Sequence, residues 1–188
     1  MHPHALHSGS VARTKGTSFV WVVKFLRANR SQAQALLPPE LAHYLEERVL
    51  PSTWYPISDY WELVRAVLAI AKMGREAFPQ MGQFLARTDL AGIYKSALHA
   101  GDPARTMTAA IALWRNYHDE GRLIVELEPS AATVTLHDYP EPSNELCCLL
   151  DGYLRELAVA AGANDVEAAR LSCRAEGGRD CRWRVSWR

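Results

Sequence analysis

Arg122 to Asp138 reads RLIVELEPSAATVTLHD. Leu123, Val125 and Leu127 alternate with other residues, Pro129-Ser130 supplies a turn, and Val134 and Leu136 alternate again. A strand sends successive side chains to opposite faces, so this period of two predicts a hairpin over residues 122–138. Beyond it, Pro140 and Pro142 interrupt the backbone and Ser143 offers a cap. Leu146, Leu149, Leu150, Tyr153, Leu154 and Leu157 then recur at helical spacing as far as Gly162. A second strand pair follows. Its first strand is expected to carry Ala169, Leu171 and Cys173 on one face, and its second Cys181, Trp183, Val185 and Trp187. The glycines of Ala175-Glu176-Gly177-Gly178-Arg179 supply the positive φ that a tight reversal needs.

Upstream the period changes. Phe19, Val22, Val23 and Leu26 make Thr17 to about Asn29 a helix, although its Val-rich start also suits a strand. Ser31 is read as the cap of a piece over residues 32–37, Pro38-Pro39 ends it, and residues 40–49 resume helically. Leu50 to Pro56, with its two prolines, is a connecting loop. Ser58 caps a helix to about Met73, whose Tyr60, Trp61, Val64, Val67 and Leu68 cover more than one face and mark it as central and buried. Glu76 to Leu98 reads as one or two helices with Gly82 and Gly92 as weak points. Asp102-Pro103 opens the clearest helix, carrying Met107, Ala110, Ile111, Trp114 and Tyr117 and closed by Gly121. The chain up to residue 121 is therefore expected to be all-helical. The expected fold class is α+β, a helical N-terminal half packed on a C-terminal antiparallel β-β-α-β-β sheet.

At 188 residues, 48% apolar and 22% charged, the chain has the size and composition of one globular domain. Residues 1–14 are expected as a flexible tail before a single domain over 15–188, with His2, His4 and His7 read as tail rather than metal ligands. Lys plus Arg and Asp plus Glu number 21 each, so no net field draws the chain to nucleic acid or an anionic membrane. Arg179, Arg182, Arg184 and Arg188 read as a solvated strand face. No apolar run approaches the ~20 residues a membrane span needs, and Met1 to Ser10 is not a secretory signal, so a cytoplasmic location is expected.

All four cysteines, 147, 148, 173 and 181, lie in the last quarter. In a reducing compartment that spacing leaves packing, metal binding and redox chemistry open. Cys147-x4-Gly152-Tyr153, then Cys173, Gly177-Gly178 and Cys181-Arg182-Trp183 resemble the 4-vinyl reductase domain. That family occurs in sensor modules of aromatic-responsive activators, and its fold is similar to the ligand-binding superfamily of haem nitric-oxide sensors and Golgi-transport (TRAPP) subunits. Lys15-Gly16-Thr17, Trp54-Tyr55-Pro56 and Trp114-x2-Tyr117 resemble a myxobacterial paralogous group of unassigned function. The first resemblance implies a zinc ion held by Cys147, Cys173, Cys181 and a glutamate. Arg170 stands where the glutamate belongs, so no metal is favoured, and Cys148 is expected in the core.

No hydrolase elbow or phosphate loop is present, and His43 with Glu46 lacks a second histidine, so no enzyme is expected. Haem is set aside as well. The superfamily's Tyr-x-Ser-x-Arg contact is broken at Leu98 in Tyr94-Lys95-Ser96-Ala97-Leu98, and His99 and His118, the only candidate axial ligands, read as ordinary histidines. An apolar pocket between helices and sheet, lined by Trp61, Trp114, Tyr117, Tyr153 and Trp183, is the candidate binding site, with core filling as the alternative. The expected function is a sensory domain that binds a small apolar or aromatic molecule and signals to a protein partner. The alternative is a ligand-free dimeric adaptor. Trp21, Trp54, Tyr55 and Trp61 exceed what a sheet-centred core can cover and point to a homodimer.

Overall fold

The computed structural model describes residues 11–92, 94–140 and 143–188. The expected hairpin forms as β3 (Arg122–Glu128) and β4 (Ala131–His137). The second pair forms as β5 (Glu167–Ser172) and β6 (Cys181–Ser186). The four strands make one antiparallel sheet in the order β3-β4-β6-β5. Its register aligns Val125, Val134 and Trp183 across three strands, so the inward residues form continuous apolar rows. Thr133, Thr135, Arg182 and Arg184 take the opposite face, where Arg184 donates to both oxygens of Glu128 at 2.5 and 2.7 Å.

The expected inward face of β5 is corrected. The β5–β6 pairing shifts between Arg170 and Ser172, and a bulge of this kind reverses which side chains point inward. Ala169, paired with Arg184, and Leu171 lie on the outer face and are exposed, while Cys173, beyond the shift, is buried as expected.

Two helices cover the sheet. α5 (Pro103–Tyr117) packs on β3 and β4, and α6 (Asn144–Ala160) on β5 and β6. Both begin at their expected caps: Asp102 accepts the Arg105 N–H and Ser143 the Leu146 N–H. α4 (Ala77–Ala91) lies along α6. There Gly82, expected as a weak point, is a contact: a Cβ on it would overlap the Leu149 carbonyl, and one on Gly152 would overlap that of Pro79. The glycines exist so that two backbones can touch. Arg87 also clamps α4 to α6, at 2.7 and 3.1 Å from the buried Glu156 carboxylate.

α1 (Gly16–Ala28), α2 (Arg30–Leu36) and α3 (Ile57–Ala71) complete the helical half, α3 being largely buried as its apolar breadth requires. The residues expected to cap α2 and α3 do not, since Asn29 and Pro56 occupy those positions, and Pro39–Leu45 is a 3₁₀ segment. The first half is also not all-helical. β1 (Arg13–Lys15) pairs antiparallel with β2 (Trp54–Pro56), inside what the sequence presents as a proline-bound loop. Three-residue strands are too short to display a period.

β1 also moves the domain boundary, since Ala12 is fully buried and the folded body starts before residue 15. The tail histidines His2, His4 and His7 lie outside the described residues. Among the described residues no helix is long and apolar enough to cross a membrane.

Candidate functional site

Between α1, α3 and α4 on one side and α5, α6 and the sheet on the other lies a cavity of about 370 Å³. That is within the roughly 300–1,000 Å³ of small-molecule pockets. Its walls are mainly apolar: Leu113, Val125, Val134, Leu149, Leu150 and Leu157 come from α5, α6 and the sheet. Trp21 of α1 and Phe84 of α4 also line it, although they are 38% and 66% exposed. They mark the side on which the cavity meets solvent.

Four of the five aromatics expected around a pocket do surround it: Trp61, Trp114, Tyr117 and Tyr153. Trp183 does not. It is wholly buried against α6, where its indole N–H donates to Asp151 at 2.8 Å. The Trp61 indole N–H is buried without a partner in the structure, and Trp114 donates its own to the Glu120 carbonyl at 3.0 Å.

The carboxylate of the site escaped the sequence reading. Asp89 sits near the end of α4 with its carboxylate at the cavity wall, accepting from the Tyr117 hydroxyl at 2.7 Å and from Tyr153 at 2.9 Å. Burial pushes its pKa up and the two phenols oppose that shift. Both phenols are themselves pushed up, first by burial and then by the carboxylate. Helical spacing gave no hint of this cluster, because its members come from α4, α5 and α6.

Among the described residues, His118, directly after α5, is the one imidazole on the wall. It stacks on Trp114 with ring centroids 3.9 Å apart, and its Nδ1 lies 3.5 Å from the Tyr139 hydroxyl. Burial pushes its pKa down to about 3, against a smaller opposing effect of Asp119, so the ring is neutral. β1 holds this corner of the cavity in place: Thr14 donates to the Tyr117 carbonyl at 2.7 Å, and the Arg13 backbone N–H to Asp119 at 2.7 Å. His99 instead pairs through its backbone with Thr106.

A second cluster lies where α6 meets β5 and β6. The Cys147 sulfur is 3.3 Å from that of Cys173 and 3.6 Å from that of Cys181, and all three residues are buried. The Cys147 thiol and the Arg174 backbone N–H both point at Cys181, which brings its pKa down. Arg170 was expected to oppose a metal here. Its guanidinium is instead engaged by Asn144 at 3.0 Å, Asp151 at 3.5 Å and Glu176 at 3.7 Å. Cys148, expected in the core, is only half-buried beside it.

No family model matches the chain and no curated protein matches it. The resemblances to the 4-vinyl reductase domain and to the myxobacterial group thus gain no support from these comparisons. Solved structures do match in fold. An H-NOX protein from S. oneidensis in its Fe(II)NO ligation state superposes at a TM-score of 0.65 with 14% identity, over 93% of this chain and 99% of that one. An oxygen-binding H-NOX domain related to soluble guanylate cyclases, in its oxygen complex, gives 0.64 at 10% identity, over 93% and 95%. An unliganded Fe(II) H-NOX mutant from K. algicida gives 0.63 at 11%, over 93% and 96%.

The chain has the ligand-binding fold of H-NOX domains. Names such as these describe ligation of NO and oxygen rather than turnover. They also correct the dismissal of haem. Other matching structures are named for the distortion of their haem, so the fold is one that accommodates that group.

Proposed function

We propose that this chain is a non-enzymatic, cytoplasmic sensor domain. It takes up one small, largely apolar, ring-bearing molecule in the cavity and passes the event to a protein partner. The observation that carries the reading is the 370 Å³ cavity itself, walled by aromatic and aliphatic side chains with a few polar groups set among them. Trp61, Trp114, Tyr117 and Tyr153 supply flat apolar surface, and Asp89 and His118 supply orientation. α5 carries the signal outward, since it lines the cavity at one side and packs on β3 and β4 at the other.

Haem is a second reading, favoured by His118. Haem needs apolar walls, a neutral nitrogen ligand to iron and partners for two carboxylates. The cavity offers the walls and one uncharged imidazole, whose Nδ1 faces a tyrosine hydroxyl as ligating histidines commonly require. Among the lining residues no Lys or Arg stands ready for the carboxylates, and the hydroxyls of Thr14, Thr17, Ser18 and Thr88 are what the wall presents instead. Bound haem would supply an iron open to a diatomic gas.

Titration of the purified chain with hemin and, separately, with an apolar fluorophore such as 1-anilinonaphthalene-8-sulfonate tests both. A one-to-one Soret band that collapses in His118→Leu establishes haem. Fluorophore enhancement that Leu150→Trp abolishes, without a Soret band, establishes the first reading. Neither signal would sink both.

Cys147, Cys173 and Cys181 would hold a zinc ion through three thiolates. Zinc there would be structural, tying α6 to the β5–β6 hairpin. A homodimer is part of the same proposal.

A further inference from the structure

Among the described residues that line the cavity, Asp89 supplies the one carboxyl group, no Lys or Arg joins it, and burial keeps His118 neutral. Its carboxyl group is held by hydrogen bonds. Two phenol hydroxyls, from Tyr117 on α5 and Tyr153 on α6, each donate to one of its oxygens. A carboxylate has about four acceptor sites, so two hydrogen bonds leave roughly half of its capacity open. Among the described residues no cation pairs with it. A buried, hydrogen-bonded anion with spare lone pairs attracts a donor, and it repels a second anion more strongly than water-exposed charges would. Aromatic rings also line the cavity, Trp61, Tyr117 and Tyr153 among them, and a ring's π face attracts an organic cation.

We propose that Asp89, fixed by Tyr117 and Tyr153 at the cavity wall, is the specificity-determining group of the cavity. It selects a ring-bearing ligand that presents a hydrogen-bond donor, an alcohol or a protonated amine, over an isosteric anion. The proposal rests on the reading of the cavity as a ligand site. The phenols serve as positioning residues: they pin the carboxylate and leave its outer lone pairs for the ligand. A ligand that recruits Asp89 pulls on three helices at once, because the cluster joins α4, α5 and α6.

The test is a matched series measured by isothermal titration calorimetry at neutral pH. It comprises 1-naphthylmethylamine, 1-naphthalenemethanol, 1-methylnaphthalene and 1-naphthoate. The amine and the alcohol are expected to bind at least about tenfold more tightly than the methyl compound, and the naphthoate weakest of all. In Asp89→Asn the amine's advantage over the methyl compound should fall about tenfold while the methyl compound binds as before, which a merely structural role would not produce. Tyr153→Phe frees a further lone pair and should widen the amine's advantage. Equal affinities across the series in the unaltered chain would overturn the role of Asp89 and leave the cavity reading standing. Failure of all four to bind would overturn both. The series on the unaltered chain decides even where Asp89→Asn does not fold.

Discussion

Two residue-scale features lead to measurements. Folding lowers the His118 pKa from its ordinary 6.5 to about 3, so between those values the unfolded chain takes up a proton that the folded chain refuses. The contribution to stability is complete above pH 6.5 and is lost as the pH falls. Urea unfolding of the haem-free chain should show a loss on the order of 1–2 kcal/mol from this group between pH 7 and pH 5. His118→Gln should lack that part of the slope, and an unchanged slope would mean the imidazole is solvated. At the cysteine cluster, protein purified without chelator should hold about one equivalent of zinc. Elemental analysis should find it gone in Cys181→Ser, together with a lower melting temperature. Metal-free protein of full stability would return the three thiols to packing alone.

At the scale of elements, the pairing of α4 with α6 depends on two missing side chains. A Cβ on Gly152 meets the Pro79 carbonyl and one on Gly82 meets that of Leu149, both backbone atoms that cannot rotate aside. Gly152→Ala should therefore destabilise by about 1–3 kcal/mol or more, although alanine is the better helix former. Chemical denaturation measures it. A gain of the ~1 kcal/mol expected from helix propensity alone would show that the two helices do not touch there. The sequence carried these glycines in plain view, yet propensity assigns them a cost. Their use depends on a neighbour 70 residues away.

For the whole molecule, association is the open quantity. The aromatics that suggested a dimer are mostly covered: Trp61 is buried, Tyr55 packs on Phe19 with centroids 4.9 Å apart, and Lys15 sits over the Trp54 ring at 4.0 Å. Val20 and Trp21 on α1 and Phe84 on α4 remain exposed. A two-fold contact that covers them is the expected form of the dimer. Light scattering should then give about twice 21.0 kDa for the unaltered chain, and a monomeric mass for Trp21→Glu with unchanged circular dichroism. A monomer at high concentration in the unaltered chain would remove the dimer from the proposal.

Much of this fold is legible in the sequence because its elements announce themselves locally. The alternation in 122–138, the caps Asp102 and Ser143, and the switch from helical period to strand period all arise from contacts within a few residues. Four of the cavity's aromatics were legible for a similar reason, since large rings in helical stripes must face something apolar. The sequence could not show the pairing of β1 with β2, whose partners are far apart in the chain, or the bulge that turns Cys173 inward. Nor could it show that Asp89, in a helix that offered no site residue by its spacing, meets two tyrosines from other helices. Local physics wrote the elements and their order. The cavity, the carboxylate on its wall and the three gathered sulfurs belong to the tertiary structure alone, because each joins groups separated by dozens of residues and no periodicity records which of them will meet.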